Sequence, residues 1–96
     1  MKIVWTRIAL EALEDIADYI AADNPRAAYR VTETIRTSVE RLAEFPNIGR
    51  EGRVEGTREL VITGVPYIVP YRVRESAVEI LTVFHTSRRW PDSFED

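Results

Sequence analysis

One histidine and a set of arginines are the side chains of this sequence whose types suit chemistry beyond folding. His85 is the sole histidine, and imidazole is the side chain that exchanges a proton in the physiological range, so it is the natural acid or base. Twelve of the thirteen basic residues are arginine, Lys2 being the one lysine. The planar guanidinium fork suits bidentate contact with a carboxylate or a phosphate. Arg50, Arg53 and Arg58 fall close together, and Arg72, Arg74, Arg88 and Arg89 follow. A proton-transfer group beside an arginine-held phosphate is the equipment for cleaving RNA through its 2′-hydroxyl, which needs an acid, a base and positive charge within a few ångströms of each other. The candidates for that chemistry are His85, Arg58 and Arg88, with Glu59 as a further base. The other use of such residues is contact, and Arg58, Arg72, His85, Arg88 and Trp90 form the candidate partner-binding set. Plain solvation of the arginines is the third use.

Composition narrows these uses. Ninety-six residues make one domain, here expected to span 1–96, with room for a single core. With 45% hydrophobic and 30% charged residues the sequence is that of a globular protein. No apolar run approaches the roughly 18 residues of a membrane span. The start, Met1-Lys2-Ile3-Val4-Trp5, lacks the apolar segment and cleavage site of a secretory signal, so a cytoplasmic location is expected. The absence of cysteine and the single histidine exclude thiolate and histidine-cluster metal sites, and no cofactor is implied. A net charge of −3 denies the chain the overall basic excess of a free nucleic-acid binder, so any phosphate contact must be local.

The elements that position these residues follow from periodicity. Residues 6–22 read as an amphipathic helix, with Ala9, Leu13, Ile16 and Ile20 on one stripe and Glu11, Glu14, Asp15 and Asp18 elsewhere. Asn24 is a good N-cap and Pro25 fits the first position of a second helix, whose stripe is Ala28, Val31, Ile35, Val39 and Leu42 and which ends before Pro46. After a loop from Asn47 to Gly56, three segments rich in β-branched and aromatic residues are separated by Thr63–Pro66 and Arg74–Ala77. The expectation is an α+β fold, a helical hairpin packed on one face of a mostly antiparallel sheet in the order β-α-α-β-β-β, with residues 2–5 as the first strand.

Strand alternation then sorts the residues into faces. A two-residue loop at Glu75-Ser76 sets Val73 opposite Val78, Arg72 opposite Glu79 and Tyr71 opposite Ile80. Continued without a break, it sets Val69 opposite Thr82, Ile68 opposite Val83 and Tyr67 opposite Phe84. Tyr67, Val69, Tyr71, Val73, Val78, Ile80, Phe84, Leu60 and Ile62 then receive the helices. Glu59, Val61, Ile68, Pro70, Arg72, Glu79, Leu81, Val83 and His85 share the other face, where the aliphatic side chains form a candidate partner surface. Arg72 lies between Glu79 and Glu59, and is the expected partner of both. His85 falls six residues beyond Glu79, so it is about 20 Å from Arg72 and cannot share a phosphate with it. Pro70 is discordant, since proline belongs at an edge or a bulge.

Taken in order, Tyr19-Ile20, Pro25-Arg26-Ala27-Ala28, Phe45-Pro46-Asn47-Ile48-Gly49-Arg50, Thr57-Arg58-Glu59-Leu60, Tyr67-Ile68-Val69, Val83-Phe84-His85 and Arg88-Arg89-Trp90-Pro91 resemble the RelE/ParE superfamily of toxins from type II toxin–antitoxin systems. The resemblance covers nearly the whole chain and is nearer the ParE branch. It implies a growth-inhibiting, plasmid-stabilising toxin neutralised by a cognate antitoxin, acting by protein contact on DNA gyrase. The RelE branch implies instead a ribosome-dependent endoribonuclease that cuts mRNA. RelE-like nucleases are typically basic and use a collection of lysine, arginine and tyrosine or histidine side chains near the sheet and C-terminus, and this chain has Lys2 as its one lysine. A non-toxic antitoxin-binding module is the remaining alternative.

Overall fold

The computed structural model describes residues 1–87. Strand β1 (Lys2–Trp5) leads into helix α1 (Arg7–Ala21), and α2 (Pro25–Glu40) follows after a tight turn and ends in a 3-10 turn at Arg41–Ala43. Thr6 makes the first junction: its Oγ1 accepts from the Ala9 N–H at 3.2 Å, capping α1, and donates to the Ile80 carbonyl at 2.7 Å. One hydroxyl thus satisfies a free helix donor and ties the helix start to the sheet. Asn24 repeats the cap for α2, its Oδ1 accepting from Ala27 N–H at 3.1 Å with Pro25 at the first position.

The sheet contains β2 (Arg50–Glu51), β3 (Arg58–Val61), β4 (Tyr67–Arg74), β5 (Ala77–Ile80) and β6 (Phe84–His85), in the order β1-β5-β4-β3-β2 with β6 also on β4. All pairs are antiparallel except β1 with β5. The helical hairpin covers one face. Ala9, Leu13, Ile35, Val39 and Leu42 pack on Leu60, Ile62, Tyr67, Val69, Tyr71, Val78 and Ile80 in one cluster. Burying an aliphatic side chain such as Ile35 contributes about 1.5–3 kcal/mol, so the two stripes account for the attachment of the helices. The α+β architecture is therefore the expected one. The loop assigned to Asn47–Gly56 differs in one respect, because Arg50 and Glu51 form a short edge strand on β3.

The hairpin registers follow the alternation as far as Ile80. Glu75 takes a φ of 55°, the left-handed geometry that a two-residue β-hairpin loop requires, and Val73 faces Val78, Arg72 faces Glu79 and Tyr71 faces Ile80. Beyond that point the register slips. Tyr67 pairs with His85 and Ile68 with Phe84, so three steps along β4 from Tyr71 to Ile68 are matched by four from Ile80 to Phe84. The extra residue is a bulge in residues 81–83, which leave the ladder. Pro70 supplies the reason: its carbonyl accepts from Leu81 N–H at 3.0 Å, so its nitrogen faces the same strand and has no hydrogen to return.

The slip corrects the face assignment. Val83 joins the helix-facing cluster, His85 moves to the face of Tyr67, and Phe84 moves to the opposite face beside Ile68. The aliphatic surface expected on that opposite face is also revised, since Ile68, Leu81 and Val83 are buried and only Val61, 50% exposed, remains open.

Candidate functional site

Arg58 and Arg72 border one recess although the register sends them to opposite faces of the sheet, Arg58 pairing with Tyr71, the residue before Arg72. Both line an open recess of about 420 Å³ at the end of the β3–β4 hairpin, with Asn47, Glu51, Thr57 and Val73. An adjoining recess extends past Arg72 to Arg74 and Leu81. Arg72 is held from across the strand, its Nε donating to Glu79 Oε1 at 2.6 Å. Arg58 is held from below: its Nη1 donates to the Gly49 carbonyl at 2.8 Å and the Asn47 carbonyl at 3.3 Å. Both arginines are partly buried, so each combines a fixed geometry with access to the recess.

His85 is elsewhere. Its ring meets Tyr67 edge to face, with centroids 5.3 Å apart, and its Nδ1 accepts from the Ser87 N–H at 3.2 Å with the Ser87 Oγ at 2.8 Å. One ring nitrogen is thereby committed to the local turn. Along β4, the step from Tyr67 to Arg72 is five residues, about 17 Å, and its odd parity sends the two side chains to opposite faces. The separation expected from the sequence holds, but the reason is stronger: His85 and Arg72 differ in face as well as in position. Arg88 and Trp90 lie outside the described residues.

Glu59 also corrects an expectation. It is a carboxylate only 2% exposed, and its partner is Arg50 on the neighbouring edge strand. Glu59 Oε1 accepts from Arg50 Nε at 3.0 Å, with Arg50 Nη2 also at 3.0 Å, and Oε2 accepts from the Arg53 N–H at 2.9 Å. Both oxygens are engaged, which fits its burial. As a general base it would have to give up these contacts.

Tyr71 was assigned to the core, and it is fully buried there, but its hydroxyl has a second task. The phenol donates to the Pro46 carbonyl at 2.8 Å and accepts from the Gly49 N–H at 2.9 Å. Burial raises the phenol's pKa, against the smaller lowering effects of the Gly49 hydrogen bond and the Arg58 charge, so it is a protonated donor at neutral pH. Gly49 passes so close that a Cβ there would meet the Tyr71 ring and hydroxyl at 2.6 Å. The sequence signal for this latch was the run Phe45–Arg50, a proline and a glycine in a short stretch following a helix. Its partner lies in another strand, which local patterning does not reveal.

Among the described residues, no group of three or more acidic or histidine side chains forms a metal site, and no helix is long and apolar enough to cross a membrane. The electrostatic inventory is thus two recess arginines, a distant imidazole and a buried carboxylate that serves the edge strand.

Comparison with known proteins adds the context. Residues 3–90 match the family model described as ParE toxin of type II toxin-antitoxin system, parDE. The chain is 51% identical over 90 residues to "Putative toxin Y4kP" of Sinorhizobium fredii (strain NBRC 101917 / NGR234), covering 94% of this chain and 93% of that protein. It is 38% identical over 87 residues to "Toxin RelE2" of Caulobacter vibrioides, covering 91% and 97%. A solved structure, "Chromosomal ParDE TA system from P. aeruginosa", superposes with a TM-score of 0.82 at 29% identity, covering 91% of this chain and 97% of that one.

Proposed function

The chain belongs to the ParE toxin family of type II toxin–antitoxin systems, and from that premise we propose that it is a cytoplasmic toxin that acts by protein contact on DNA gyrase and is held inactive by a cognate antitoxin. One observation carries the choice of contact over catalysis. His85 pairs with Tyr67 and Arg58 with Tyr71, so the imidazole and the arginine of the competing catalytic set stand about 14 Å apart along β4, too far to act on one phosphate, and Arg72 lies on the opposite face. Glu59, the acid nearest the recess arginines in sequence, already has both carboxylate oxygens engaged.

The contact residues in this reading are Arg58 and Arg72 at the recess, with Arg88 and Trp90 as a second patch and His85 as a structural residue at the end of β6. The similarity to a chain from a ParDE system supports a cognate antitoxin as partner. The ribosome-dependent endoribonuclease is the competing reading, favoured by the name of the Caulobacter relative. Its catalytic set would be His85, Arg58 and Arg88.

A pair of assays separates the readings. Antitoxin-free protein is added to a gyrase supercoiling reaction and to a translation reaction read by primer extension on the message. The expected result is inhibited supercoiling with intact message. Cleavage of the message in codon register overturns the proposal, and silence in both assays leaves the non-toxic binding module.

A further inference from the structure

The outer side of the helical hairpin carries charge sorted by helix. On α1, Glu11, Glu14, Asp15 and Asp18 are exposed against a single Arg7, whereas on α2 Arg26, Arg30 and Arg36 are exposed against Glu33 and Glu40. Two pairs are made within a helix, Arg7 with Glu11 at 3.6 Å and Arg36 with Glu33 at 3.9 Å, both in water and worth little. Glu14, Asp15, Asp18, Arg26 and Arg30 form no ion pair among the described residues. A shape accompanies the charge. The rows Arg30–Thr34–Ser38 and Tyr29–Glu33–Thr37 bound a shallow groove of about 480 Å³ along α2, and Arg26 extends the first row by a turn. Such a groove receives the i,i+4 ridge of another helix. On α1 the ridge Glu11–Asp15–Tyr19 is exposed throughout and of opposite charge. Groove and ridge lie on the exposed side of one layer, so the ridge cannot enter the groove of its own chain. Tyr19 and Tyr29, 83% and 71% exposed, stand at the same end of the hairpin, beside the turn at 22–24.

We propose that this face pairs with the same face of a second copy of the chain, α1 of each molecule lying on α2 of the other. Stacked hairpins have two two-fold solutions. An axis running across the helices lays α1 on α1 and sets the acids against themselves. An axis running along the helices lays α1 on α2 twice and keeps every residue at its level along the hairpin. Residues equidistant from the turn at 22–24 share a level, so Asp18 meets Tyr29 and Arg30, Glu11 meets Arg36, and Arg7 meets Glu40. The one mismatch is Glu14 with Glu33, which already has Arg36 beside it at 3.9 Å. Charge therefore selects the second arrangement, and Tyr19 of each copy enters the Tyr29 end of the other's groove. The area sets the strength. Two helices about 23 Å long make a face of roughly 450 Å² in projection. A pair of such faces buries a total near the roughly 1,200 Å² at which standard interfaces begin, so the dimer is a weak, concentration-dependent one. It does not depend on the choice of gyrase as target.

The test follows the purified, antitoxin-free chain by sedimentation velocity over a concentration series. The expected result is a monomer–dimer equilibrium that weakens about tenfold as salt rises from roughly 50 to 500 mM. Arg26→Glu/Arg30→Glu and Asp15→Arg/Asp18→Arg should each sediment as monomers. Both reversals suit the helix ends they lie near, acids at the start of α2 and cations at the end of α1, so the unfolding midpoints should not fall. An equimolar mixture of the two variants should dimerise as the parent does, because each α1-on-α2 contact then joins opposite charges again. Tyr19→Ala/Tyr29→Ala should weaken the dimer about tenfold at parental stability. A parent that stays monomeric to roughly millimolar concentration overturns the proposal, as does a dimer that neither reversal weakens. Reversed variants that fail to rescue each other overturn the α1-on-α2 arrangement. A monomeric parent whose hairpin amides gain protection only when the cognate antitoxin is added gives the face to the antitoxin and overturns the second copy as its occupant.

Discussion

The helix-covered half of the sheet and the segment from Phe45 to Glu59 lie side by side and are held by different forces. Between α1, α2 and the sheet the contacts are aliphatic, non-directional and shared among many residues, with Ile35, Val39, Leu42, Val69 and Ile80 fully buried. The segment beside them contributes little to that cluster. It is fixed by directional polar contacts from single side chains: Tyr71 and Arg58 on the turn, Glu59 on Arg50 and Arg53, and Thr57 Oγ1 on the Val54 carbonyl at 2.6 Å. Apolar burial fixes layers and tolerates small displacements. Directional hydrogen bonds fix backbone positions, and the surface they fix is the one that carries the recess and the Phe45–Gly49 turn.

Substitutions test that contrast, beginning with the largest effect. Ile35→Ala should lower unfolding free energy by about 2–5 kcal/mol, because it removes buried methyl groups and leaves a cavity between the layers. Urea denaturation reads it, and amide exchange should rise across both helices and the sheet. An effect confined to α2 would break the claim that this half is one shared core. Gly49→Ala should cost about 1–3 kcal/mol, since the added methyl must displace the Tyr71 ring at the heart of the latch. A crystal structure with an undisturbed Tyr71 would show the approach to be looser than it is here.

Glu59→Gln keeps the shape but turns a donor toward groups that already donate. It should cost about 1–2 kcal/mol, less than a deeply buried pair would, because Arg50 is 52% exposed on its side chain and can return to water. The signature is local: the Arg53 amide exchanges faster while Val69 and Ile80 keep their protection. Global loss of protection would place Glu59 in the core's cooperative unit and erase the contrast.

The smallest effect concerns pH. Tyr71 has its folded pKa raised, so the unfolded chain releases this proton first and binds fewer protons than the native state above the unfolded value of about 10. Its contribution is therefore complete below about pH 10 and is lost as pH climbs through the higher native value. Wild-type stability should fall more steeply above that pH than that of Tyr71→Phe, measured as unfolding midpoint against pH. Parallel curves would mean that the phenol titrates alike in both states.

Much of the architecture was legible in the sequence because it rests on local regularities. The stripes Ala9–Leu13 and Ile35–Val39–Leu42 face the sheet, Asn24 and Pro25 open α2, and Glu75-Ser76 makes the hairpin that pairs Arg72 with Glu79. Less of the site was legible. The strand through His85 reads as unbroken because alternation carries no record of a missing donor on the neighbouring strand, and Pro70, the one visible hint, does not say how the chain opposite responds. Glu59 has two arginines within plausible reach from sequence, and the choice of Arg50 depends on an edge strand whose two residues have no periodicity to betray them.

The sequence by itself determined the layers, the helix starts and the hairpin registers up to Ile80, since these follow from repeating contacts between residues a few positions apart. Only the tertiary structure decided that His85 leaves the face of Arg72, that Glu59 serves Arg50, and that Tyr71 reaches out of the core to hold Gly49. Each of these turns on a single donor or acceptor, present or missing, contributed by a strand remote in sequence. One hydrogen bond of that kind has no period and leaves no pattern until the chain is folded.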